Sequence, residues 1–262
     1  MSASAAPQPL ERNRFKAALS AHRRQIGLWS SLCSNIVAEV IAGAGFSWIV
    51  LDAEHAPNEL AGILQQLQAM NRGTAEAVIR PPANDPILIK RLLDIGVRSF
   101  LIPQVRTGEE VRLTVQATRY PPHGNRGVSV SQRANRFSRE RDYLNRADGQ
   151  ICLLVQIETS DALNDIDPIA GTDGVDGLFV GPSDLAASLG HLGDPGHAEV
   201  QKAFDDVLEA AHRAGKPAGI LAPIEADAER YIARGFSFVA VGSDLGLLVN
   251  GCDALLKRFA DA

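Results

Sequence analysis

Cysteine is scarce in this 262-residue sequence: only Cys33, Cys152 and Cys252 are present, and they lie far apart. An odd number of distant cysteines, with no CxxC pair among them, indicates neither a disulfide framework nor a zinc site. Unpaired thiols are typical of proteins in a reducing compartment. We therefore expect a cytoplasmic protein.

Positive charge and long apolar runs are also lacking. Asp and Glu outnumber Lys and Arg by 31 to 26, which gives a net charge of −5. Without a basic surface, the chain is not expected to bind nucleic acid. No apolar run approaches the roughly 20 residues of a membrane span, and the N-terminal MSASAAPQPLERNR lacks the apolar stretch of a signal peptide. We expect no membrane partner.

The composition is that of an ordinary globular protein, 45% hydrophobic and 22% charged, in a chain long enough to bury a sizeable core. Residues 1–9 are small, polar and proline-containing, which predicts a disordered tail. Residues 10–262 are expected to form a single domain, because α/β barrels commonly use about 250 residues as one unit.

Eight short apolar runs typical of β-strands are spread along this domain, at 26–30, 48–52, 77–80, 99–103, 151–158, 177–181, 217–222 and 238–242. The runs are nearly continuous rather than alternating, which is typical of parallel strands covered on both faces. Amphipathic stretches such as 36–45, 85–96 and 224–235 lie between them, and each ends in Gly, a frequent helix stop. The pattern predicts an α/β fold, a (β/α)8 TIM barrel, with a doubly wound open sheet as the alternative.

Three features lie outside this alternation. Residues 131–150 form an insert with five arginines against three acidic residues, for which we favour a solvated helical excursion or a subunit contact over an anion site. Residues 246–262 have the pattern of a closing amphipathic helix. His123, His191 and His197 fall in loop segments, and we interpret them as loop structure.

Most of the conspicuous polar residues stand where the predicted strands end. A barrel carries its active site at the C-terminal ends of its strands, so these side chains are predicted to meet on one rim. In strand order they are Trp29; Asp52, Glu54 and His55; Arg80; Gln156 and Glu158; Gly181, Pro182, Ser183 and Asp184; and Gly242 and Asp244.

Glu158 and Asp184 are the candidate metal ligands. Each alone has an equally good structural interpretation, since carboxylates after strands often cap helices or stabilise helix dipoles. Together, from adjacent strand ends with few other ligands nearby, they describe an open site for a hard divalent cation such as Mg²⁺ or Mn²⁺. A 2-oxo acid would chelate such a cation through its carboxylate and keto oxygens.

His55 and Arg80 are the candidates for the chemistry. A lone histidine is more often structural, but imidazole titrates near neutrality, which suits proton transfer. Arg80 ends a buried run and needs a partner: it either pairs with Asp52 or Glu54, or stabilises an oxygen that becomes an enolate. The Gly-Pro turn before Ser183 offers backbone N–H groups to a carboxylate.

Seven segments, taken in order, carry a resemblance to a known family: 27-GLWSSLCS-34, 43-GAGFSWIVLDAEHAPNE-59, 79-IRPPANDPILIKRLLDIG-96, 117-ATRYPPHGNRG-127, 155-VQIET-159, 178-LFVGPSDLAASLG-190 and 239-VAVGSD-244. They resemble the HpcH/HpaI aldolases, the class II pyruvate aldolases, over nearly the whole chain. Among members, the chain looks closest to 4-hydroxy-2-oxoheptanedioate aldolases and 2-keto-3-deoxy-sugar-acid aldolases.

The resemblance implies a role for each rim residue. Glu158 and Asp184 match the two metal ligands. His55 matches the acid/base residue, which generally acts through a metal-bound water. Arg80 matches the arginine that holds the keto oxygen and stabilises the pyruvate enolate. Gly181 and Ser183 match positions whose backbone receives the pyruvate carboxylate, and the implied substrate-binding set is Trp29, Gln156, Gly181, Pro182 and Ser183.

Two further implications concern neighbouring subunits. Asp94 matches an aspartate that pairs with the histidine, reached by packing or from another subunit. Family members are hexamers, trimers of dimers, that often exchange the last helix between subunits, so a homo-hexamer with an exchanged C-terminal helix is implied. One position departs from the family pattern: Ser183 stands where close relatives often carry Ala.

The implied reaction is the reversible cleavage of a 4-hydroxy-2-oxo acid into pyruvate, or an analogue such as hydroxypyruvate, and an aldehyde. The implied cofactor is Mg²⁺, Mn²⁺ or Co²⁺. No organic cofactor or Schiff-base lysine is expected, since the lysines fall on predicted helices or at the start of a strand. Two alternatives stay open: an acyl-CoA lyase of the citrate lyase β or malyl-CoA type, and a non-catalytic barrel that binds small acids.

Overall fold

The computed structural model describes residues 12–260, so the expected tail at 1–9 lies outside the described residues. Within them, eight parallel strands close into one barrel in chain order. This confirms the (β/α)8 prediction and makes the open sheet wrong. The strands are β1 (Gln25–Ser30), β2 (Trp48–Asp52), β3 (Glu76–Arg80), β4 (Ser99–Ile102), β5 (Cys152–Ile157), β6 (Gly177–Val180), β7 (Ala218–Leu221) and β8 (Phe238–Ser243).

Burial on both faces explains the continuous apolar runs. In β2, Ile49 and Leu51 belong to the outer core between strands and helices, whereas Trp48 and Val50 belong to the inner core of the barrel. Because successive side chains of a strand point to opposite faces, both sets must be apolar. Phe15 also packs in the inner core, stacked on Trp48 at 5.4 Å between ring centroids.

The helices begin and end where local chemistry dictates. Asp85 accepts hydrogen bonds from the N–H groups of Ile87 and Leu88 and caps the fourth helix, and Gly235 in the left-handed region ends the eleventh. The helices are α1 (Arg14–Ser20), α2 (Asn35–Ala42), α3 (Leu60–Ala69), α4 (Pro86–Asp94), α5 (Gly108–Thr118), α6 (Tyr143–Arg146), α7 (Ser160–Asn164), α8 (Ile166–Gly171), α9 (Pro182–Ser188), α10 (Ala198–Arg213), α11 (Glu225–Arg234) and α12 (Asp244–Lys257).

The two segments outside the alternation take different forms. Residues 131–150 contain only short pieces, α6 and the 3-10 turns Arg133–Asn135 and Asp148–Gln150, in place of one helical excursion. The predicted closing helix is present as α12, which exposes most of its apolar residues. Across residues 12–260, none of the helices has both the length and the apolar character needed to cross a membrane.

Candidate active site

Arg80, the last residue of β3, is anchored by β2. Its Nε donates to Asp52 Oδ1 at 2.8 Å and its Nη2 to Asp52 Oδ2 at 2.6 Å. Its Nη1 lies 2.9 Å from Glu54 Oε2 in an ion pair. The register places Arg80 directly beside Asp52. Arg80 therefore pairs with both Asp52 and Glu54, the two structural partners that the sequence offered as alternatives.

The two carboxylates around Arg80 respond differently to burial. Burial opposes the ionisation of Asp52, but the hydrogen bonds and charge of Arg80, helped by the Trp29 indole, hold its pKa below the ordinary value. The indole Nε1 donates to Asp52 Oδ2 at 3.2 Å. For Glu54, burial outweighs the charge of Arg80, and its pKa is raised. Asp52 is thus the firm anionic anchor of the arginine.

Glu158 follows β5 and is a buried carboxylate without a cation. It is 2% exposed, and among residues 12–260 no basic side chain forms an ion pair with it. The N–H of Gln104 donates to its Oε1 at 2.5 Å, and the amide of Gln156 donates to its Oε2. Burial, together with the charges of Glu54 and Asp184, raises the pKa of Glu158 to about 7.

The turn after β6 brings α9 against this carboxylate. Gly181 is needed there because a Cβ would lie 2.8 Å from both Glu158 Oε2 and Gln156 Nε2. The Gly181 N–H donates to Ile157 O at 3.1 Å and is therefore committed to the sheet. In the described chain, the N–H of Ser183 has no acceptor, as is usual in the first turn of a helix. Asp184 occupies the same turn and is exposed.

A cavity of about 270 Å³ at the C-terminal ends of the strands is lined by Arg80 and by the turn at residues 181–184. Glu158 lies against Gln156 and Gly181 of this lining and is not itself part of it. The exposed side chain of His55 lies at the edge of the cavity, 3.9 Å from Glu54 Oε2, and Arg80 lies over the Trp29 ring at 4.8 Å. The cavity unites eight of the ten residues assigned from the sequence, together with Phe179 and Leu221 of the strands. Those eight are Trp29, His55, Arg80, Gln156, Gly181, Pro182, Ser183 and Asp184.

Asp94 does not reach this cavity within one chain. It ends α4, which leads into β4 and therefore lies at the N-terminal end of the barrel. Its Oδ1 is 3.3 Å from Nη2 of the buried Arg126, whose guanidinium stacks over Tyr120 at 4.4 Å. The pairing of Asp94 with His55 stays a prediction that needs a second subunit.

Asp244 lies on the rim, but its carboxylate has a structural role. Its carboxylate accepts from the hydroxyl of Ser30 at 2.8 Å and from the N–H groups of Ser31 at 2.9 Å and Leu32 at 3.2 Å. These bonds tie the end of β1 to the start of α12. Asp244 is therefore occupied and takes no part in the pocket.

Gln104 was missed by the sequence reasoning. It follows β4 with φ +53°, a left-handed backbone that a non-glycine residue rarely adopts. This conformation aims its N–H at Glu158, while its side-chain amide reaches Glu54 Oε1 at 3.4 Å. A polar residue directly after an apolar run and a proline was the available signal.

Among residues 12–260, one group of three potential metal ligands lies close together, His191, His197 and Glu199. The two imidazoles stack with their centroids 3.5 Å apart and 18° between their planes. Imidazole lone pairs lie in the ring plane, so two rings stacked face to face direct their lone pairs along separate parallel planes, which disfavours binding one ion with both rings. His191 Nε2 is instead 2.9 Å from Glu199 Oε2, and we keep the interpretation as loop structure.

The residues at the rim fit a divalent cation. Glu158 is buried, faces the charges of Glu54 and Asp184, and has no cationic partner among the described residues. The Oε1 of Gln156 beside it is buried without a hydrogen-bond partner. Such an oxygen-rich donor set suits Mg²⁺ or Mn²⁺. Glu158 and Asp184 are the side chains that would hold the ion.

The fold and pocket define a class: a (β/α)8-barrel protein with a carboxylate-rich site at the C-terminal ends of its strands. A sequence profile of the HpcH/HpaI aldolase/citrate lyase family matches residues 25–251. The chain belongs to this family, as its resemblance predicted.

Known proteins agree with this assignment. The 5-keto-4-deoxy-D-glucarate aldolase of Escherichia coli K12 is 53% identical over 247 residues, which are 94% of this chain and 96% of that protein. A family protein from Burkholderia cenocepacia J2315 is 40% identical, with a TM-score of 0.93 over 95% of this chain and 99% of that chain. An HpcH/HpaI aldolase from Desulfitobacterium hafniense is 29% identical, with a TM-score of 0.85 over 94% and 96%. The protein is an aldolase, a carbon–carbon lyase.

Proposed function

We propose that the chain is a divalent-metal-dependent aldolase that reversibly cleaves a 4-hydroxy-2-oxo acid into pyruvate, or a close analogue, and an aldehyde. One observation carries the proposal: the buried carboxylate of Glu158 has no cationic partner among the described residues and lies against Gln156 and Gly181, which line the same pocket as Arg80. A buried carboxylate of this kind is stabilised by a cation. A cation beside a guanidinium is suited to stabilising the negative charge of an enolate oxygen.

The substrate we favour is 5-keto-4-deoxy-D-glucarate, which the relative from Escherichia coli names. Its keto carbon is next to one carboxylate, and a hydroxyl stands two carbons beyond the ketone. It is therefore a 4-hydroxy-2-oxo acid, and retro-aldol cleavage yields pyruvate and a three-carbon aldehyde acid. A cavity of about 270 Å³ suits such a small acid better than an acyl-CoA.

The chain's own residues divide the work of cleavage. His55, exposed at the edge of the pocket, accepts the proton of the substrate hydroxyl. As the carbon–carbon bond breaks, its electron pair moves into the enolate, and the N–H groups that Asp52 leaves free on Arg80 stabilise the oxygen. The free N–H of Ser183 holds the substrate carboxylate. Trp29 and Phe179, which belong to the inner core of the barrel, supply an apolar part of the pocket lining.

The metal held by Glu158 and Asp184 would supply Lewis-acid polarisation of the keto oxygen. The lysines lie away from this pocket. Lys202, for example, pairs with Asp206 on α10, and Lys216 donates to Thr172 O at 2.7 Å. Schiff-base chemistry is accordingly not part of the proposal.

The test is a pyruvate-release assay with 5-keto-4-deoxy-D-glucarate, run after exhaustive EDTA treatment and after reloading with Mg²⁺, Mn²⁺ or Co²⁺. We expect activity to vanish with EDTA, to return with metal, and to be absent in Glu158→Gln at every metal concentration. Full turnover without metal would reject the proposal. A screen of other aldehydes, with pyruvate and hydroxypyruvate as donors, ranks the substrates.

We also propose that the chain assembles as a homo-hexamer through α12. In this helix only Asp244 is buried, and its exposed apolar residues continue into the turn that follows. They include Leu247, Leu248, Leu255, Leu256 and Phe259. An apolar face of this extent is typical of a subunit interface, and a second subunit is what Asp94 requires to approach His55.

Light scattering tests this assembly. We expect a mass of six times the 28.0-kDa chain. Leu247→Asp together with Leu256→Asp should dissociate the assembly, while Asp253→Asn on the same helix should leave it intact. A monomeric wild type would reject the proposal.

We place the enzyme in the cytoplasm, where the free thiols of Cys33, Cys152 and Cys252 stay reduced.

A further inference from the structure

A second cavity, of about 510 Å³, lies at the N-terminal end of the barrel. The insert 131–150 forms one wall, and the residues that directly precede β4 and β5, Arg98 and Ile151, form another. The catalytic rim is at the opposite ends of these strands, about 13 Å away along the four residues of β4. Volumes of this size are typical of sites for small molecules.

Four arginines line this cavity, and no acidic side chain does. Among residues 12–260, Arg133, Arg136 and Arg139 form no ion pair. The fourth, Arg98, pairs with Glu76 at 3.3 Å, a carboxylate that is shared with Arg14. The wall therefore carries a positive charge that the described chain does not neutralise.

The acidic residues of the insert are used elsewhere. Glu140 and Asp142 lie 4.0 Å and 3.9 Å from the guanidinium of Arg146, and Asp148 accepts from the N–H of Tyr120 at 3.4 Å. None of these three residues lines the cavity. The excess of arginine seen in the sequence is thus concentrated on one wall.

Arg133 is held in a fixed orientation. Its Nη1 donates to Ile95 O at 2.6 Å. Gly96, at φ +97°, makes room for it, because a Cβ there would lie 2.7 Å from Nη1. Burial and the nearby charge of Arg98 lower the pKa of Arg133. A bound anion would raise this pKa again, because an opposite charge favours the charged form.

A strained turn places Arg136 and Phe137 at the cavity. Arg136, Phe137 and Ser138 have consecutive φ values of +54°, +56° and +69°, which L-residues disfavour. The N–H of Phe137 donates to Gln132 O at 2.9 Å, and the Ser138 hydroxyl donates to Val130 O at 2.6 Å. The ring of Phe137 is left 61% exposed beside the arginines.

We propose that this cavity binds a small polyanion, a molecule with two or more phosphate or carboxylate groups, at the end of the barrel opposite the catalytic pocket. Arg133, Arg136 and Arg139 hold the anionic oxygens, since guanidinium groups pair with both kinds of oxyanion through paired N–H donors. Phe137 and Tyr143 cover the body of the ligand.

The experiment is isothermal titration of the full-length chain, in metal-free buffer, with tripolyphosphate, ATP and citrate in turn. At least one probe is expected to bind with a dissociation constant at or below about 1 mM and to weaken as the salt concentration rises. A preference for citrate identifies a carboxylate ligand, and a preference for the other two a phosphorylated one. Affinity should be unchanged in Arg80→Ala, which removes the guanidinium of the catalytic pocket.

Arg136→Ala together with Arg139→Ala should weaken binding by about 100-fold, because each lost charge-assisted hydrogen bond costs about tenfold or more. Both side chains are exposed, so the variant is expected to fold. Arg141→Ala is the matched control, because it is exposed in the same insert and does not line the cavity.

Four results would overturn the proposal. They are the absence of binding by all three probes, an equal loss in Arg141→Ala, a loss in Arg80→Ala, and a change in oligomeric mass in the double variant. The last would assign the arginines to a subunit contact.

Discussion

Arg80 and Asp52, on neighbouring strands, form a two-point ion pair with bonds of 2.8 Å and 2.6 Å. A guanidinium has five N–H groups, so three remain on its terminal nitrogens for Glu54 and a ligand. The pair is buried, which fixes the direction of these remaining donors. Arg80 is therefore a structural partner that keeps donors for the oxyanion role we propose, so the two roles that the sequence presented as alternatives are compatible.

Arg80→Ala should lower kcat by roughly 10²–10³, the usual loss when one donor to a developing oxyanion is removed. Arg80→Lys should lose nearly as much, because an ammonium cannot bridge Asp52 with two parallel bonds. Arg112→Ala, at an exposed ion pair on α5, is the control and should leave kcat unchanged. Steady-state kinetics of pyruvate release measures all three. Wild-type turnover in Arg80→Lys would contradict the assigned role.

Asp52→Asn should lower the free energy of unfolding by about 3–5 kcal/mol, because it leaves the buried Arg80 with a weakened partner. Adding Arg80→Met should recover part of this loss, since no buried charge is then left unpaired. Urea denaturation of the single and double variants measures the coupling. Asp173→Asn, at an exposed pair with Arg119, should change stability by less than about 0.5 kcal/mol. Strict additivity of the two buried changes would refute this account.

The pKa of Glu158, raised to about 7 by burial and by the charges of Glu54 and Asp184, makes the metal-free protein sensitive to pH. Below the ordinary pKa the carboxyl is protonated in both the folded and unfolded chains. As pH rises toward 7, ionisation favours the unfolded chain, so stability from this group is lost and stays lost above that pH.

Glu158→Gln removes this titration. In EDTA, its free energy of unfolding relative to wild type should rise by about 2–3 kcal/mol between about pH 5 and pH 8. Comparing the variant with wild type at each pH cancels the other titrating groups. Urea denaturation of both proteins at the two pH values measures the difference in their free energies of unfolding. The same difference at both pH values would show that the pKa of Glu158 is not raised.

Gly181→Ala should weaken metal binding by about 10–100-fold, because its Cβ would lie 2.8 Å from Glu158 Oε2 and from Gln156 Nε2. The backbone itself tolerates alanine, with φ −92°. Gly171→Ala is matched to it, since a Cβ there meets nothing within 4 Å. Titration with Mn²⁺ compares the two. If both variants bind the ion as wild type does, the close approach of α9 is not required.

The strands could be predicted within one residue at each end. For example, the run 99–103 became β4 (Ser99–Ile102), and 238–242 became β8 (Phe238–Ser243). The signal was strong because both faces of every strand are buried, which forces continuous apolar runs. The conformation of the insert was harder to predict. Its turns around Phe137 depend on side-chain hydrogen bonds, such as that from the Ser138 hydroxyl to Val130 O, and hydrophobic periodicity carries no information about such bonds.

The sequence by itself determined the barrel and the rim on which its polar residues stand, because strand burial and strand ends are local properties of the chain. Only the tertiary structure decided what those residues touch. Arg80 binds Asp52 and Glu54 together, Glu158 receives the N–H of Gln104 from 54 positions away, and Asp244 turns to Ser30 across 214. Such contacts depend on barrel closure and strand register, which bring distant residues into hydrogen-bond range.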